Sequence, residues 1–390
     1  MESINKDLET QLVQLSISDL LECIENSEKS TEFMEKFKQE EQYTKLFNNS
    51  RELSTVIEMR NFHNWIKLNL ITNISEFYLS NSFRNVVTNN IRVLDPKGTS
   101  KPKYGKKLSL LDISVGRGGD LAKWDKAFIT HVFGFDPNVE SINSKDPQNP
   151  GAKERLKNYK FQNSALKKTN VFFEVGNAIF PTGAQGIPNV SEKITNFLNV
   201  KKLPLFDLVS CQFSLHYFFV SETALRNVLT LVSTFLKPGG YFFGTAINGK
   251  EIIKYFNLAG NAQAIRGKLY QIDRFFDPSI NLNKKPFGNK YNFTIFDKFD
   301  QTNYFNTIPQ STEYLVNFDT FIRIAKEYSL EPVNINFFEK SQGVYTNFNG
   351  NIINFEEIFK LNKWRPKNEP ITMDELQISF LNSTFVFQKK

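Results

Sequence analysis

Residues 110–124, LLDISVGRGGDLAKW, form a pattern able to hold a nucleotide-like group. A short apolar run ends in Asp112, passes Gly116, Gly118 and Gly119, and re-emerges as an amphipathic segment with Asp120, Leu121, Lys123 and Trp124. A strand, a tight turn and a helix N-terminus in that order make the place where an open α/β sheet binds such ligands. The glycines let the backbone approach a ligand closely and take positive φ. About twenty residues further on, HVFGFD reads as a second strand ending in Asp136, whose carboxylate is placed for ribose hydroxyls. The glycine spacing fits neither GxGxxG nor GxxxxGK[ST]. An Asp-x-Ser-x-Gly-x-Gly-Gly-Asp pattern suits S-adenosylmethionine better.

Two further segments carry polar groups past strand-like runs. Asn177 follows VFFEVG, where an Asp or Asn commonly holds an adenine amino group. Gln212, His216 and Tyr217 lie in FDLVSCQFSLHYFF, just beyond what reads as a buried strand. A lone His in an aromatic segment is more often packed core, but three polar groups together favour a functional role. HExxH, a nucleophile elbow and paired metal-ligand spacings are absent, so metal hydrolysis and Ser-type acyl transfer have no support.

The elements that must position these residues alternate. Strand-like segments fall at 108–113, 131–135, 170–175, 205–212 and 240–246, and helical ones at 119–127, 138–145 and 222–236. That order predicts an α/β fold with a doubly wound, mostly parallel sheet. Residues 56–79 read as one long amphipathic helix before it. DPKGTSKPKYGKK (95–107) reads as a linker that can bring lysines near a phosphate-bearing ligand. Residues 177–204 are expected to be an inserted surface loop. An insertion over 250–310, with aromatic-rich strands, is expected to carry substrate specificity before a last strand in STFVFQKK. Residues 1–50 read as a helical N-terminal extension to a domain over 51–390.

Bulk properties narrow the setting. The 390 residues are 40% hydrophobic, enough for a large core, and carry a net charge of +7, which suits a protein that meets a polyanion through one face. Phe is frequent (39) and Trp rare (3), a bias read as an AT-rich coding sequence and not as an aromatic binding surface. The two cysteines, Cys23 and Cys211, make no CxxC, which points to a reducing compartment without a disulfide framework. The chain begins without a signal-like segment, and no apolar run is long enough for a membrane span, so a soluble intracellular protein without a membrane partner is expected.

Four motifs then make the reading specific. MRNFHNWIK (59–67), the 110–124 loop, FDLVSCQFSLHYFF (206–219) and LKPGGYFFGTAING (236–249) occur in this order. Together they closely resemble the mRNA cap guanine-N7 methyltransferases. FGNKYNF (287–293), TEYLVNF (312–318) and the final FVFQKK are similar to that family as well. The resemblance covers residues 42–390, and NFxNWxK with CQFxxHY is its specific part, because other methyltransferases lack both. It implies a Rossmann-like class I methyltransferase fold, S-adenosylmethionine as cofactor, S-adenosylhomocysteine as product, and the GpppN end of capped RNA as substrate. Lys67, Ser114, Gly116, Asp136, Asn177, Gln212 and Tyr217 fall on cofactor-contacting positions. His63, Asn64, Arg117, His216 and Glu313 fall on positions that contact or orient the cap. Catalysis would be positional, with no residue acting as base or nucleophile and no metal, because guanine N7 is already nucleophilic and the sulfonium methyl already activated.

This chain departs from the family pattern at four places. Ser114 stands where Gly is usual, Asn177 where Asp is common, and His63 replaces the first Asn of NNW. Asn382 stands where an aromatic helps hold the cap. The alternatives are a methyltransferase acting on another RNA base or a small molecule, and a non-catalytic capping subunit. The other capping steps would come from other chains, among them a capping enzyme or an activating subunit. A nuclear enzyme of an AT-rich eukaryote and a cytoplasmic one of a large DNA virus would look alike.

Overall fold

The computed structural model describes residues 54–84, 108–162 apart from 148, 170–296 apart from 185, and 311–390 apart from 349, 351 and 368. The N-terminal extension and the 95–107 linker lie outside the described residues. Helix α1 (Ile57–Arg84) comes first and buries Met59, Phe62, Ile66, Leu70, Ile71 and Ile74 at helical spacing.

Strand β1 (Leu108–Ile113), helix α2 (Leu121–Lys126) and strand β2 (Ile129–Asp136) follow. All six residues of β1 are buried, as the apolar run LSLLDI requires of a strand covered on both faces. Next come α3 (Val139–Asn143), α4 (Ala152–Gln162), β3 (Asn170–Val175), α5 (Val190–Lys201), β4 (Phe206–Gln212), α6 (Leu215–Phe218), α7 (Glu222–Phe235) and β5 (Leu236–Ile247). Ser221 caps α7 by accepting from the Ala224 N–H at 3.1 Å, and the helix buries Leu225, Val228, Leu229 and Val232 against the sheet.

Helix α8 (Gly249–Leu258) leads into β6 (Ala264–Arg266), β7 (Tyr270–Arg274), β8 (Lys290–Ile295) and β9 (Ser311–Tyr314), a separate antiparallel four-stranded sheet in that order. The chain closes with α9 (Phe318–Glu327), β10 (Leu330–Pro332), the β11 (Ile335–Ser341) and β12 (Val344–Asn347) hairpin, and β13 (Ile352–Asn354). Helices α10 (Phe355–Lys360) and α11 (Met373–Phe380) then precede β14 (Asn382–Lys389).

The main sheet runs β10-β14-β5-β4-β1-β2-β3, with β13 beside β14. Strands β1 to β5 are parallel to their neighbours, and β14 enters antiparallel to β5. This is the doubly wound, Rossmann-like arrangement expected from the sequence. Order reverses at β1, between β2 and β4, and such a switch point opens a crevice beyond the carboxyl ends of the strands. Gly244 on β5 is required by packing: a Cβ there would lie 1.8 Å from the Cys211 carbonyl oxygen of β4.

Two expectations need correction. Residues 177–204 are not a surface loop throughout, because 190–201 form α5, with Val190, Ile194, Phe197 and Leu198 buried under the sheet. The Gly and Pro residues of PTGAQGIPN mask a helix that begins directly after them, capped by Asn189. The 250–310 insertion opens with helix α8 before its strands begin.

Candidate functional site

The Gly-rich loop leaves β1 in a sequence of left-handed turns. Ser114 has φ +60°, Gly116 +54° and Gly118 +71°. The Ser114 Cβ is thus tolerated at a conformation that costs an L-residue about 1–2 kcal/mol. A Cβ on Gly116 or Gly119 would meet nothing within 4 Å, whereas one on Gly118 would touch Ala152 and Phe173 at 3.4 Å. The first two therefore face open space beside the loop, and the third backs onto α4 and β3.

Asp136 closes the other side of that space. Its Oδ2 accepts from the Gly116 N–H at 2.9 Å and its Oδ1 from the Asn138 N–H at 2.9 Å. Each oxygen keeps a further lone pair for a ligand hydroxyl. Burial raises the Asp136 pKa even though both N–H donors favour the carboxylate. Asn177 closes a local turn, its Oδ1 accepting from the Ile179 N–H at 2.8 Å. Gln212 is tied down at both ends, with Nε2 donating to Ser210 Oγ at 3.2 Å and Oε1 accepting from the Thr245 hydroxyl at 3.1 Å.

Behind the loop lies a charge cluster that the sequence motifs did not reveal. Asp120 binds Lys67 Nζ at 2.7 Å and Lys123 Nζ at 2.8 Å, with all three side chains largely buried. Burial opposes ionisation of Asp120, but the Lys67 and Lys123 charges pull its pKa down to about 2. Asp112, 3% exposed, is driven the other way, well above the usual carboxylate range, by burial and then by the Asp120 charge. Asp120 thus anchors the ammonium of Lys67 from α1 to the loop. Replacing Asp120 with Asn should remove the carboxylate charge that faces two buried ammonium groups, a loss of about 3–5 kcal/mol. Urea unfolding measures it, and an unchanged midpoint would mean that water already compensates both lysines.

The second half of the site follows β4. Phe213 has φ +54°, and its N–H donates to the Thr245 carbonyl at 2.8 Å, which turns the chain abruptly into α6. That turn places His216 inside, 4% exposed, and leaves Tyr217 36% exposed with its hydroxyl 3.1 Å from Ser311 Oγ. Glu313 on β9, 2% exposed, accepts from the Tyr291 hydroxyl at 2.6 Å and lies 3.8 Å from His216 Nε2. Among the described residues neither His216 ring nitrogen has a hydrogen-bond partner. Burial lowers the His216 pKa against the attraction of Glu313, so the imidazole is held neutral. Burial first, and then Glu313, push the Tyr217 phenol up to about 12.

His63 joins this half from α1. Its ring stacks on Phe213 (5.1 Å, 20° between planes), and its Nε2 lies 3.0 Å from Ser379 Oγ. Burial and then the Lys67 charge bring it down to about 3, which keeps it uncharged. Asn64 is exposed one residue on. Asn382, at the start of β14, donates to the Ile378 and Ser379 carbonyls, and its buried Oδ1 has no partner among the described residues.

Arg117 is the residue the structure does not bring to this half. Its Nη1 donates to the carbonyls of Asn149 at 2.7 Å and Glu140 at 3.4 Å. Those carbonyls follow β2, on the opposite side of β1 from β4 and His216. The guanidinium therefore fastens the loop to the β2–α4 connection. Sequence reasoning missed Asp112, Asp120 and Lys123 as site residues, and also Tyr291, although Tyr291 stands in the FGNKYNF motif.

A family model described as the mRNA (guanine-N(7))-methyltransferase domain matches residues 24–390. The chain is 29% identical over 283 residues to the mRNA cap guanine-N(7) methyltransferase of Drosophila melanogaster, covering 72% of this chain and 55% of that protein. To the mRNA cap guanine-N(7) methyltransferase of Schizosaccharomyces pombe it is 28% identical over 284 residues, covering 73% and 62%. To mRNA cap guanine-N(7) methyltransferase 1 of Arabidopsis thaliana it is 27% identical over 350 residues, covering 87% and 77%. The match thus spans little more than half of the first two proteins.

Proposed function

The chain belongs to the mRNA (guanine-N7)-methyltransferase family, and from that premise we propose that it methylates N7 of the 5′ cap guanosine of RNA with S-adenosylmethionine. The observation that carries this reading is the buried pair of Glu313 and His216. A carboxylate at 2% exposure and, 3.8 Å from it, an imidazole whose two nitrogens find no partner among the described residues form a polar recess that a hydrogen-bonding ligand would complete. Each unmet buried group costs about 1–3 kcal/mol, so a ligand that pairs them gains that much.

A purine fits that recess by its donor and acceptor pattern. The Glu313 carboxylate is suited to the N1–H and exocyclic amine of guanine, and neutral His216 has one nitrogen to donate and one to accept. The open space over Gly116 and Gly119, with the acceptors of Asp136 at its rim, suits S-adenosylmethionine. Asp136 would hold its ribose, Asn177 its adenine, and Lys67 its carboxylate, with Gln212 and Tyr217 lining the way to the second half. When bound, the cofactor would supply an activated sulfonium methyl, with neutral S-adenosylhomocysteine as the leaving group.

This chain's residues then have an electrostatic and orienting task. As N7 forms its bond to the methyl carbon, the guanine ring gains positive charge, and Glu313 faces that ring from a poorly solvated position. No proton leaves N7, so no base is needed. The rate of methyl transfer should accordingly stay flat from about pH 6.5 to 9, above the ordinary His pKa of about 6.5 and further above the lowered one of His216. His216→Asn, which keeps a donor of shorter reach, should retain more activity than His216→Ala. Single-turnover rates across that range measure both, and a rate tracking one ionisation near neutrality, abolished equally by both substitutions, would mean proton transfer takes part. The direct test of the function is transfer of labelled methyl to GpppA and to capped RNA, with uncapped RNA as the control.

A further inference from the structure

We propose that the outer face of the β6–β9 sheet, with the loop that leads into β8, is a docking surface for the single-stranded RNA that follows the cap. The proposal rests on the cap reading above and extends it to a part of the substrate that the Glu313 recess does not touch.

Strand alternation divides the sheet into two unlike faces. Ile272, Tyr291, Phe293 and Glu313 point inward and are buried. The other face carries Arg266, Gln271, Asp273, Asn292 and Thr312, of which Arg266 and Thr312 are exposed and Asp273 accepts from Gln271 Nε2 at 2.6 Å. Hydrogen-bonding side chains alternate with the core along β6 to β9, with Arg266 and Lys290 basic and Asp273 acidic among them. At its edge Phe275 is 56% exposed, with Lys290 Nζ 5.0 Å from the ring centroid. An exposed aromatic ring with an ammonium beside it offers a base a stacking surface and its phosphate a counter-charge, the combination that holds single strands without reading their sequence.

Charge favours the same partner. Within residues 264–295, leaving out the buried Arg274, five Lys or Arg stand against two Asp, a net of +3. Lys284 and Lys285 are exposed in the loop before β8.

That loop adjoins the recess. Phe287 stacks on Phe219 at 5.4 Å, the Gly288 N–H donates to the Phe219 carbonyl at 3.0 Å, and Tyr291 gives its hydroxyl to Glu313. A capped RNA carries about one negative charge per nucleotide away from the guanine. A basic surface that begins within a few residues of the recess can meet that charge.

The test uses the full chain and a quadruple variant with Phe275→Ala, Lys284→Gln, Lys285→Gln and Lys290→Gln. Anisotropy with a labelled, uncapped 20-nucleotide RNA should show Kd rising about 10-fold. The slope of log K against log salt should fall by about 2, as loss of three phosphate contacts on a single strand implies. KM for the same RNA carrying a GpppA cap should rise to a similar extent, while kcat and KM on the GpppA dinucleotide stay within about twofold. Unchanged RNA affinity and salt slope would overturn the proposal and leave the face to a protein partner. An equal loss on GpppA would also overturn it, because the substitutions would then act through the recess. Wild-type protein that cannot methylate GpppA would refute the cap reading alone, since uncapped RNA binding tests the surface independently.

Discussion

Glu313→Gln is expected to lower methyl transfer to GpppA by about 10³-fold while S-adenosylmethionine affinity stays near wild type. The substitution keeps shape but removes the charge and replaces one acceptor oxygen by a donor. Glu313 is 2% exposed, so no water substitutes for the lost interaction. Tyr291, which now donates to Oε2, can still donate to an amide oxygen, and the fold should hold. That orientation turns the Gln amine toward His216 and the recess. A guanine edge then meets donors with its own donors, and the positive charge that develops at the ring loses its counter-charge. Removing one electrostatic contact to a transition state costs about 10²–10³, and a mispaired buried polar edge reaches about 10⁴ in favourable cases. Single-turnover assays with saturating cofactor measure it. Near-normal transfer by the variant would place guanine recognition elsewhere in the molecule.

Asp136→Ala is expected to weaken S-adenosylmethionine binding by about 10²–10⁴-fold. Each charge-assisted hydrogen bond to a carboxylate contributes about 1.5–3 kcal/mol, and two ribose hydroxyls would be lost together. The Gly116 and Asn138 N–H groups also lose their acceptor, so the loop itself loosens. Asp136→Asn is the milder change, because it keeps an acceptor for one of the two N–H groups while it loses the charge. Calorimetric titration gives the affinity, and a melting curve checks the fold. The sign with pH follows from burial: the Asp136 pKa is raised, and the form that accepts from hydroxyls is the ionised one. Cofactor affinity should therefore fall on acidification through that raised pKa, above the ordinary Asp value of about 3.9. Unchanged affinity in the Ala variant would mean that the ribose does not lie at this carboxylate.

Much of the scaffold was legible because its rules are local. The apolar run LSLLDI, the glycines after it and Asp136 at the end of the next strand each follow from short-range sterics and burial. The same holds for α7, whose apolar spacing and Ser221 cap lie within one segment. Helix α5 was obscured because Gly and Pro immediately before it suggest a loop, while its stability comes from burial of Ile194 and Phe197 under a distant sheet.

The sequence by itself determined the succession of strands β1 to β5, the backbone turns of the Gly-rich loop and the polar residue types beyond those strands. Their chemistry depends on φ, hydrophobic period and side-chain identity, all of which are properties of neighbours. Only the tertiary structure decided the partners. His63 and Ser379 meet across 316 residues, Lys67 and Asp120 across 53, and Tyr291 reaches Glu313 through pairing of β8 with β9. Arg117, adjacent in sequence to Gly116, was drawn instead to the carbonyls after β2. Charge and hydrogen-bond partners depend on distance in space and on the water excluded between groups. A pattern along the chain states which groups are present, and the packed sheet decides which of them are close and dry enough to act on one another.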